Sequence, residues 1–239
     1  MTSGSPAVAA CDFLPYYLAG GGRMYDGEGR ALLDTPAMRA ALERYAAMKA
    51  FANPQEQLWW RESVRQFANG ETATVLTFSN HASYIMNSQY ANILQKTGAA
   101  MVPGGHPLLG GGVLGICRNT KKLELCRRFF DWFYSEDIAS AVVRLGGASP
   151  MQEAYTRYEN YSIFPWLETI GENLAIGTRG MGDQYFPAFS IREYEWALGT
   201  AVYKMIRSGI SSAEAAGMAQ ALYDQRASHC GSRAAADPQ

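Results

Sequence analysis

The sequence predicts a helix-rich α/β fold. Helical periodicity of apolar residues dominates the chain, and only three short segments have the length and composition of strands. These segments are Thr72–Phe78, Ala99–Val102 and Val113–Cys117. The chain has no internal repeat, and three scattered strands are too few for a complete doubly wound domain.

The helices are predicted from apolar periodicity and from their capping residues. Thr35 and Pro36 form an N-cap followed by proline at the first helical position, and the helix that they open runs to about Ala52. Ser211–Glu214 reads as a capping box that opens the last helix, which we expect to end near Ser228. Further helices are predicted over about 56–68, 81–96, 137–145, 165–175 and 191–207.

One more helix is predicted after the capping pair Asn119-Thr120, with an apolar face that we expect to be buried. The residues of that face are Leu125, Phe129, Trp132 and Phe133. The second of two successive helices then ends at Gly146-Gly147. The last eleven residues, 229–239, have the composition of a disordered tail.

Composition excludes several classes of partner. The 239 residues carry 21 Lys and Arg against 22 Asp and Glu, so the net charge of -1 offers no field that would attract nucleic acid or an anionic membrane. No apolar run approaches the roughly 20 residues that a membrane span requires. The start lacks a basic n-region and a long apolar h-region, so we read no signal peptide and expect the chain as written to stay in the cytoplasm.

Catalytic and metal-binding patterns are not found in the sequence. The three histidines, His81, His106 and His229, belong to no H-E-x-x-H pattern, and no G-x-S-x-G or phosphate-loop pattern occurs. The four cysteines, Cys11, Cys117, Cys126 and Cys230, have no metal-ligand spacing, and the sequence does not choose a disulfide pair among them. We therefore predict a protein that is not an enzyme and that uses no cofactor or metal.

Two features are consistent with a ligand surface. The pairs Tyr16-Tyr17, Trp59-Trp60 and Tyr185-Phe186 could each stack on a sugar ring, although one member of each pair also has the spacing of a core residue. The stretch GGHPLLGGGVLGI, residues 104–116, holds six glycines beside a short apolar strand. Such a cluster marks either a strained turn or a surface that a ligand approaches closely, and both interpretations stay open here.

Four segments, in order, resemble the family 1 extracellular solute-binding proteins, the carbohydrate-type receptors of ATP-binding cassette importers. The segment Phe13–Met48 is similar to a family region in which an aromatic-rich helix meets a Gly-Gly turn, and Trp59–Ile85 to one with a Phe-x-x-Gly-x-x-Ala pattern before a strand. Met101–Tyr155 matches best, with Pro-Gly-Gly, a Gly-Gly strand ending in Gly-Ile and a Gly-Gly-x-x-Pro turn. Gly209–Ala216 is similar to the family's final Gly-x-Ser-x-Glu-x-Ala helix.

The resemblance implies a type II periplasmic-binding-protein fold, of which this chain would hold mainly the C-terminal lobe. Residues 1–228 would form this partial fold, with strands crossing between the lobes at about 72–117, and the first lobe would be largely missing by N-terminal truncation. The family binds sugar in a cleft between two lobes and docks on the importer's membrane subunits. A complete member would be periplasmic or extracellular.

By the same resemblance, eight residues would face the ligand. The glycine strand would let sugar hydroxyls reach backbone groups, or its glycines would serve only as a hinge. Gly112 occupies a position that is often aromatic in the family, so either a stacking platform is lost or the pocket is larger. Asn80 would offer a donor and an acceptor, and helix N-capping is its other possible role. The eight residues are Gly110, Gly111, Gly112, Ser79, Asn80, Tyr16, Tyr17 and Tyr185.

Two other classes of function remain as alternatives. One is an interaction module without transport function, which keeps the fold of the lobe and forms a homodimer through apolar surface left exposed. The other is a glycoside-processing enzyme, which would need a pair of cleft carboxylates about 5–10 Å apart. The sequence shows no candidate for such a pair.

Overall fold

The computed structural model describes residues 4–53, 59–85, 93, 96–112, 114–164, 166–178 and 191–234, with side chains up to residue 227. Two 3-10 helices span Met48–Phe51 and Ser79–Tyr84. The α-helices are α1 Pro6–Ala19, α2 Pro36–Ala47, α3 Trp60–Ala68, α4 Leu123–Phe133, α5 Glu136–Arg144, α6 Glu153–Thr156, α7 Tyr158–Tyr161, α8 Trp166–Ile176, α9 Ile191–Ser208 and α10 Ser212–Ala234. No described helix is both long and apolar enough to cross a bilayer.

The largest core lies among α1, α2, α9 and α10. Phe13 of α1, Leu42 of α2 and Leu198 of α9 are fully buried there. Asp12 is a buried polar side chain in this core, and it accepts a hydrogen bond of 2.5 Å from the hydroxyl of Tyr45. A buried carboxylate is costly unless it is paired, so this hydrogen bond allows α1 to present a polar side chain to the core.

Two smaller cores support the rest of the chain. Val143 of α5, Tyr155 of α6 and Leu167 of α8 are buried in one of them. There the hydroxyl of Tyr155 accepts from the Ser149 amide at 2.7 Å and donates to the Ser149 carbonyl at 2.9 Å. The other is formed by α3 and the residue that follows the second 3-10 helix, Ile85.

Two predicted caps are confirmed, a third is wrong, and two helix ends differ from the prediction. The pair Asn119-Thr120 does not cap α4, because the N-cap of that helix is Lys122, without a side-chain cap hydrogen bond. The Thr35 hydroxyl accepts from the Met38 amide at 3.1 Å, and Glu214 accepts from the Ser211 amide at 2.8 Å, which completes the capping box. However, α2 ends at Ala47 and continues as a 3-10 helix to Phe51, and α10 runs to Ala234 instead of ending near Ser228. Residues 229–234, predicted to lie in a disordered tail, are therefore helical, because an isolated glycine such as Gly231 weakens a helix without ending it.

The three predicted strands are not paired in a sheet within the described residues. Segments 72–78, 99–102 and 114–117 have no regular secondary structure, and Val113 lies outside the described residues. Isolated bridges join Tyr25 to Ala31 and Leu108 to Thr178. A strand is stable only when a neighbour accepts and donates its backbone hydrogen bonds, and the described part of the chain supplies no such neighbour.

The predicted buried face of α4 is exposed, so that expectation is wrong. None of the eleven residues of this helix is buried, and Leu125 and Trp132 are 59% and 54% exposed. The predicted periodicity is present, because Leu125, Phe129 and Trp132 share one side of the helix, but about half of each of these residues is exposed to solvent.

Candidate ligand-binding surface

The glycine-rich stretch divides into two parts with different structural causes. Gly104 and Gly105 have φ angles of 86° and 69°, in the left-handed region that favours glycine, and they form a turn. A Cβ atom at Gly104 would also overlap the side chain of Ala19 at the end of α1. The strained-turn interpretation is therefore correct for the first two glycines.

The glycines after the bridge at Leu108 are not explained in the same way. Backbone hydrogen bonds of 2.9 and 3.0 Å tie Leu109 and Pro107 to Thr178, so the segment is anchored just before Gly110. A Cβ at Gly110 would lie 2.8 Å from the ring of Phe78. Packing inside the chain therefore accounts for Gly110.

Within the described residues, neither conformation nor packing requires glycine at positions 111 and 112. The φ angles of Gly111 and Gly112 are outside the positive range, and a Cβ at either position would meet no described atom within 4 Å. Both residues are exposed. A need for glycine at these two positions would therefore come from a ligand or from another segment that contacts the backbone, and not from the described residues.

The contact between Gly110 and Phe78 brings two predicted groups of site residues together. Phe78 immediately precedes the 3-10 helix that begins with Ser79 and Asn80, and it is the N-cap of that helix. Asn80 is therefore not the cap, and its side chain is exposed. We call Ser79, Asn80, Gly110, Gly111 and Gly112 the candidate surface.

An aromatic cluster, which the sequence did not predict as a unit, adjoins the candidate surface. Its members are Trp59, Trp60, Phe78, His81 and Tyr84. The ring of Trp60 lies 5.1 Å from Phe78 and 5.7 Å from His81, and His81 stacks on Tyr84 at 5.7 Å with planes inclined by 26°. The last pair follows from the 3-10 helix, in which residues i and i+3 eclipse each other. Only the Trp59-Trp60 pair was a visible signal in the sequence.

His81 is a structural member of this cluster. Its Nδ1 lies 2.9 Å from the Thr77 hydroxyl, and partial burial lowers the pKa of the imidazole below its usual value. The ring is therefore neutral at pH 7, and it serves as a flat packing surface between Trp60 and Tyr84. The guanidinium of Arg61 lies 5.5 Å from the Tyr84 ring centroid and adds a cation–π contact.

The predicted tyrosines do not join the candidate surface as a group. Tyr17 is 2% exposed, and its hydroxyl donates to the Arg23 carbonyl at 2.7 Å, so its assignment as a ligand residue is wrong and it is a core residue. Tyr16 is half-buried, and its ring packs 5.4 Å from Tyr45. Tyr185 lies outside the described residues. Periodicity could not separate Tyr16 from Tyr17, because adjacent helical residues differ by only about 100°.

Other features of the described chain lie apart from the candidate surface. A groove of about 560 Å³ runs between the hairpin around Asp26 and Arg30 and α10, and it contains none of the predicted site residues. Asp26 and Arg30 are paired there at 2.6 Å. Cys117 and Cys126 carry free thiols, and the described residues contain no cluster of three or more potential metal ligands.

Comparison with known proteins shows the fold. No family model and no curated protein match the chain. Among solved structures, maltose-bound MalE3 from T. maritima has a TM-score of 0.75 at 20% identity, and a ribitol complex of an ABC transporter solute-binding protein from Agrobacterium radiobacter K84 has 0.75 at 21%. A protein from Synechococcus sp. MITs9220, described as an oligosaccharide periplasmic-binding protein in complex with zinc, has 0.63 at 15%. The chain has a periplasmic-binding-protein fold.

This chain corresponds to only part of each binding protein that it matches. The first two matches align with 94% of this chain but with only 59% and 58% of their own chains, and the third with 96% and 61%. The chain thus spans about three fifths of the length of the structures that it matches. The predicted helix-rich, periplasmic-binding-protein-like fold class is confirmed, although the described residues contain no sheet.

Proposed function

We propose that the chain is part of a sugar-binding receptor without enzymatic activity. The observation that carries this proposal is the bare, exposed backbone of Gly111 and Gly112, for which the described part of the chain supplies no cause in conformation or packing. Asn80 is exposed two residues after Phe78, whose ring lies against Gly110, and its amide suits a vicinal diol because it both donates and accepts hydrogen bonds. The backbone amides and carbonyls of the two glycines likewise offer hydrogen-bond donors and acceptors.

The matched structures support a sugar or polyol as the ligand. Two of them hold maltose and ribitol, which are both rich in adjacent hydroxyl groups. Together with the rest of a binding-protein fold, the candidate surface would form one wall of the ligand cleft. We also propose that the protein acts outside the cytoplasm and docks on the membrane subunits of an importer.

Sugar titration with glycine variants tests this proposal. Because an open surface buries only part of a ligand, we expect a Kd of about 1 mM for this chain, or about -4 kcal/mol. At ten times that concentration, binding stabilises the folded state by about 1.4 kcal/mol and raises the Tm by about 3–6 °C. A double variant, Gly111→Ala with Gly112→Ala, should bind at least about tenfold more weakly and keep its stability in the absence of sugar, because the added methyl groups meet open space.

Gly27→Ala is the matched control for these variants. Gly27 also meets no atom within 4 Å and lacks a positive φ, but it lies in the hairpin with Asp26, away from the candidate surface. This control should bind like the unaltered chain. A saturating Tm shift that the double variant retains would place the site elsewhere, and no shift with any sugar or polyol would contradict the function itself.

The exposed face of α4 supports a second candidate function, which is self-association. An isolated helix of eleven residues is only marginally stable in water, and most helical stability in proteins comes from packing of an apolar face. On α4 that face carries Leu125, Phe129 and Trp132, which are 59%, 47% and 54% exposed. We propose that a second copy of the chain covers this face and forms a homodimer.

Light scattering over a concentration series tests the dimer. We expect a mass approaching twice the 26.2 kDa of the chain at micromolar concentration, and a return to a monomer when Leu125→Ser and Trp132→Ser are combined. Phe51→Ser is the control, because Phe51 is 84% exposed and lies outside α4. A mass of one chain at every concentration, or a dimer that survives the double substitution, would contradict the proposal.

A further inference from the structure

One tryptophan of the aromatic cluster is largely accessible to solvent. Trp59 is 52% exposed, more than Tyr84 at 38%, whereas Trp60, Phe78 and His81 are each partly covered by their neighbours in the cluster. Trp59 contacts the cluster through Trp60, with ring centroids 5.9 Å apart and planes inclined by 69°. The cluster thus holds a broad indole ring in place at its edge and leaves about half of that side chain open.

The cluster also links this indole to the candidate surface through a chain of contacts. Trp60 packs against Phe78 at 5.1 Å, and Phe78 in turn lies against Gly110 and directly precedes Ser79. The polar groups of the candidate surface and the exposed indole are therefore held by the same packed rings. Gly112, by contrast, offers no ring to a ligand.

We propose that Trp59 is the stacking platform of the candidate surface and makes it select ring-shaped sugars over open-chain polyols. The inference rests on the proposed sugar-binding function. A pyranose presents a rigid face of C–H groups, which the negative face of an indole attracts. An acyclic polyol has no fixed face, and it loses the freedom of several rotatable bonds when it is ordered against a flat surface.

Substitution of Trp59 leaves the local backbone supported. Trp59 is the N-cap of α3, and its carbonyl accepts from the Ser63 amide at 3.2 Å. This bond uses the main chain, so Trp59→Ala and Trp59→Phe both retain it. A change in ligand preference in these variants then reports on the lost ring and not on unfolding of α3.

Parallel titrations with maltose and ribitol, read by Tm and by tryptophan fluorescence, test the platform. We expect the unaltered chain to bind maltose at least about tenfold more tightly than ribitol. Trp59→Ala should weaken maltose binding about tenfold and change ribitol binding by less than about twofold, and Trp59→Phe should keep most of the preference. Phe51→Ala is the control, because Phe51 is an aromatic residue that is 84% exposed and lies outside both the aromatic cluster and α4.

The outcomes separate the platform from the function on which it rests. Maltose binding that Trp59→Ala leaves intact would overturn the platform while the sugar-binding function stands. An equal loss of maltose and ribitol binding in Trp59→Ala would also overturn it, since the ring would then contribute to the site without selecting for ring shape. If the unaltered chain binds neither ligand, both proposals fail.

Discussion

Gly199→Ala should lower the free energy of unfolding by about 2–4 kcal/mol, because α1 and α9 are too close at this position for a methyl group. A Cβ at Gly199 would overlap the carbonyl oxygen of Pro6 and lie 2.6 Å from its carbonyl carbon. These are backbone atoms at the start of α1, so they cannot move aside as a flexible side chain would. The helices must separate, and the largest core loses contacts along the whole α1–α9 interface.

Chemical and thermal unfolding measure this effect, with Gly217→Ala as the control. Gly217 lies inside the neighbouring helix α10, where the nearest atom to a new Cβ is the Asp34 carboxylate at an ordinary 3.8 Å. Since alanine is the better helix former, that substitution should stabilise the chain by about 0.5–1 kcal/mol. The two glycine-to-alanine changes thus have opposite expected signs. Equal effects would show that helix propensity, and not close packing, decides the outcome at Gly199.

Gly146→Ala should be about as disruptive as Gly199→Ala, and its effect should reach the candidate surface. Gly146 ends α5 with a φ of 79°, and a Cβ there would lie 2.6 Å from the Cα and 2.7 Å from the amide nitrogen of Ser83. Left-handed backbone costs alanine about 1–2 kcal/mol, and the clash adds to that cost. We expect a total loss of about 3–4 kcal/mol. Ser83 belongs to the 3-10 helix that begins with Ser79 and Asn80, so this helix must shift.

Gly209→Ala isolates the conformational part of the effect. Gly209 follows α9 with a φ of 69°, and a Cβ there would meet no atom within 4 Å. It should lose only about 1–2 kcal/mol, and amide hydrogen exchange in residues 79–84 should stay unchanged. Faster exchange of those amides is expected in Gly146→Ala alone. Equal stability losses in the two variants would contradict the contact between Gly146 and Ser83.

Most of the helical architecture could be predicted from the sequence because its signals are local. The N-cap at Thr35, the capping box at Ser211 and the helix-ending Gly146-Gly147 pair each depend on residues within one turn of one another. The strand predictions were wrong for the opposite reason. Segment 72–78 has the composition of a strand, but pairing depends on a partner from elsewhere in the fold.

The candidate surface could be predicted only in part. The glycines and the Ser79-Asn80 pair were found in the sequence, through the resemblance, and the structure brings Gly110 against Phe78, next to Ser79. Tyr17 was assigned wrongly because rotation about the helix axis, which sends it into the core, depends on how α1 packs against its neighbours. The aromatic cluster was missed because Trp60 and His81 are twenty-one residues apart and meet only through tertiary packing.

The sequence by itself determined the helix-rich class, most of the longer helices, the absence of a charge pattern for nucleic acid, and the resemblance that led to the binding-protein fold. These properties follow from composition and from interactions between residues that are close along the chain. The tertiary structure alone decided which glycines have no cause in conformation or packing among the described residues. It also decided that Trp59 is the most exposed ring of the aromatic cluster and that the apolar face of α4 is exposed. Burial depends on which distant elements meet, and one periodic pattern is compatible with either a packed or a bare face.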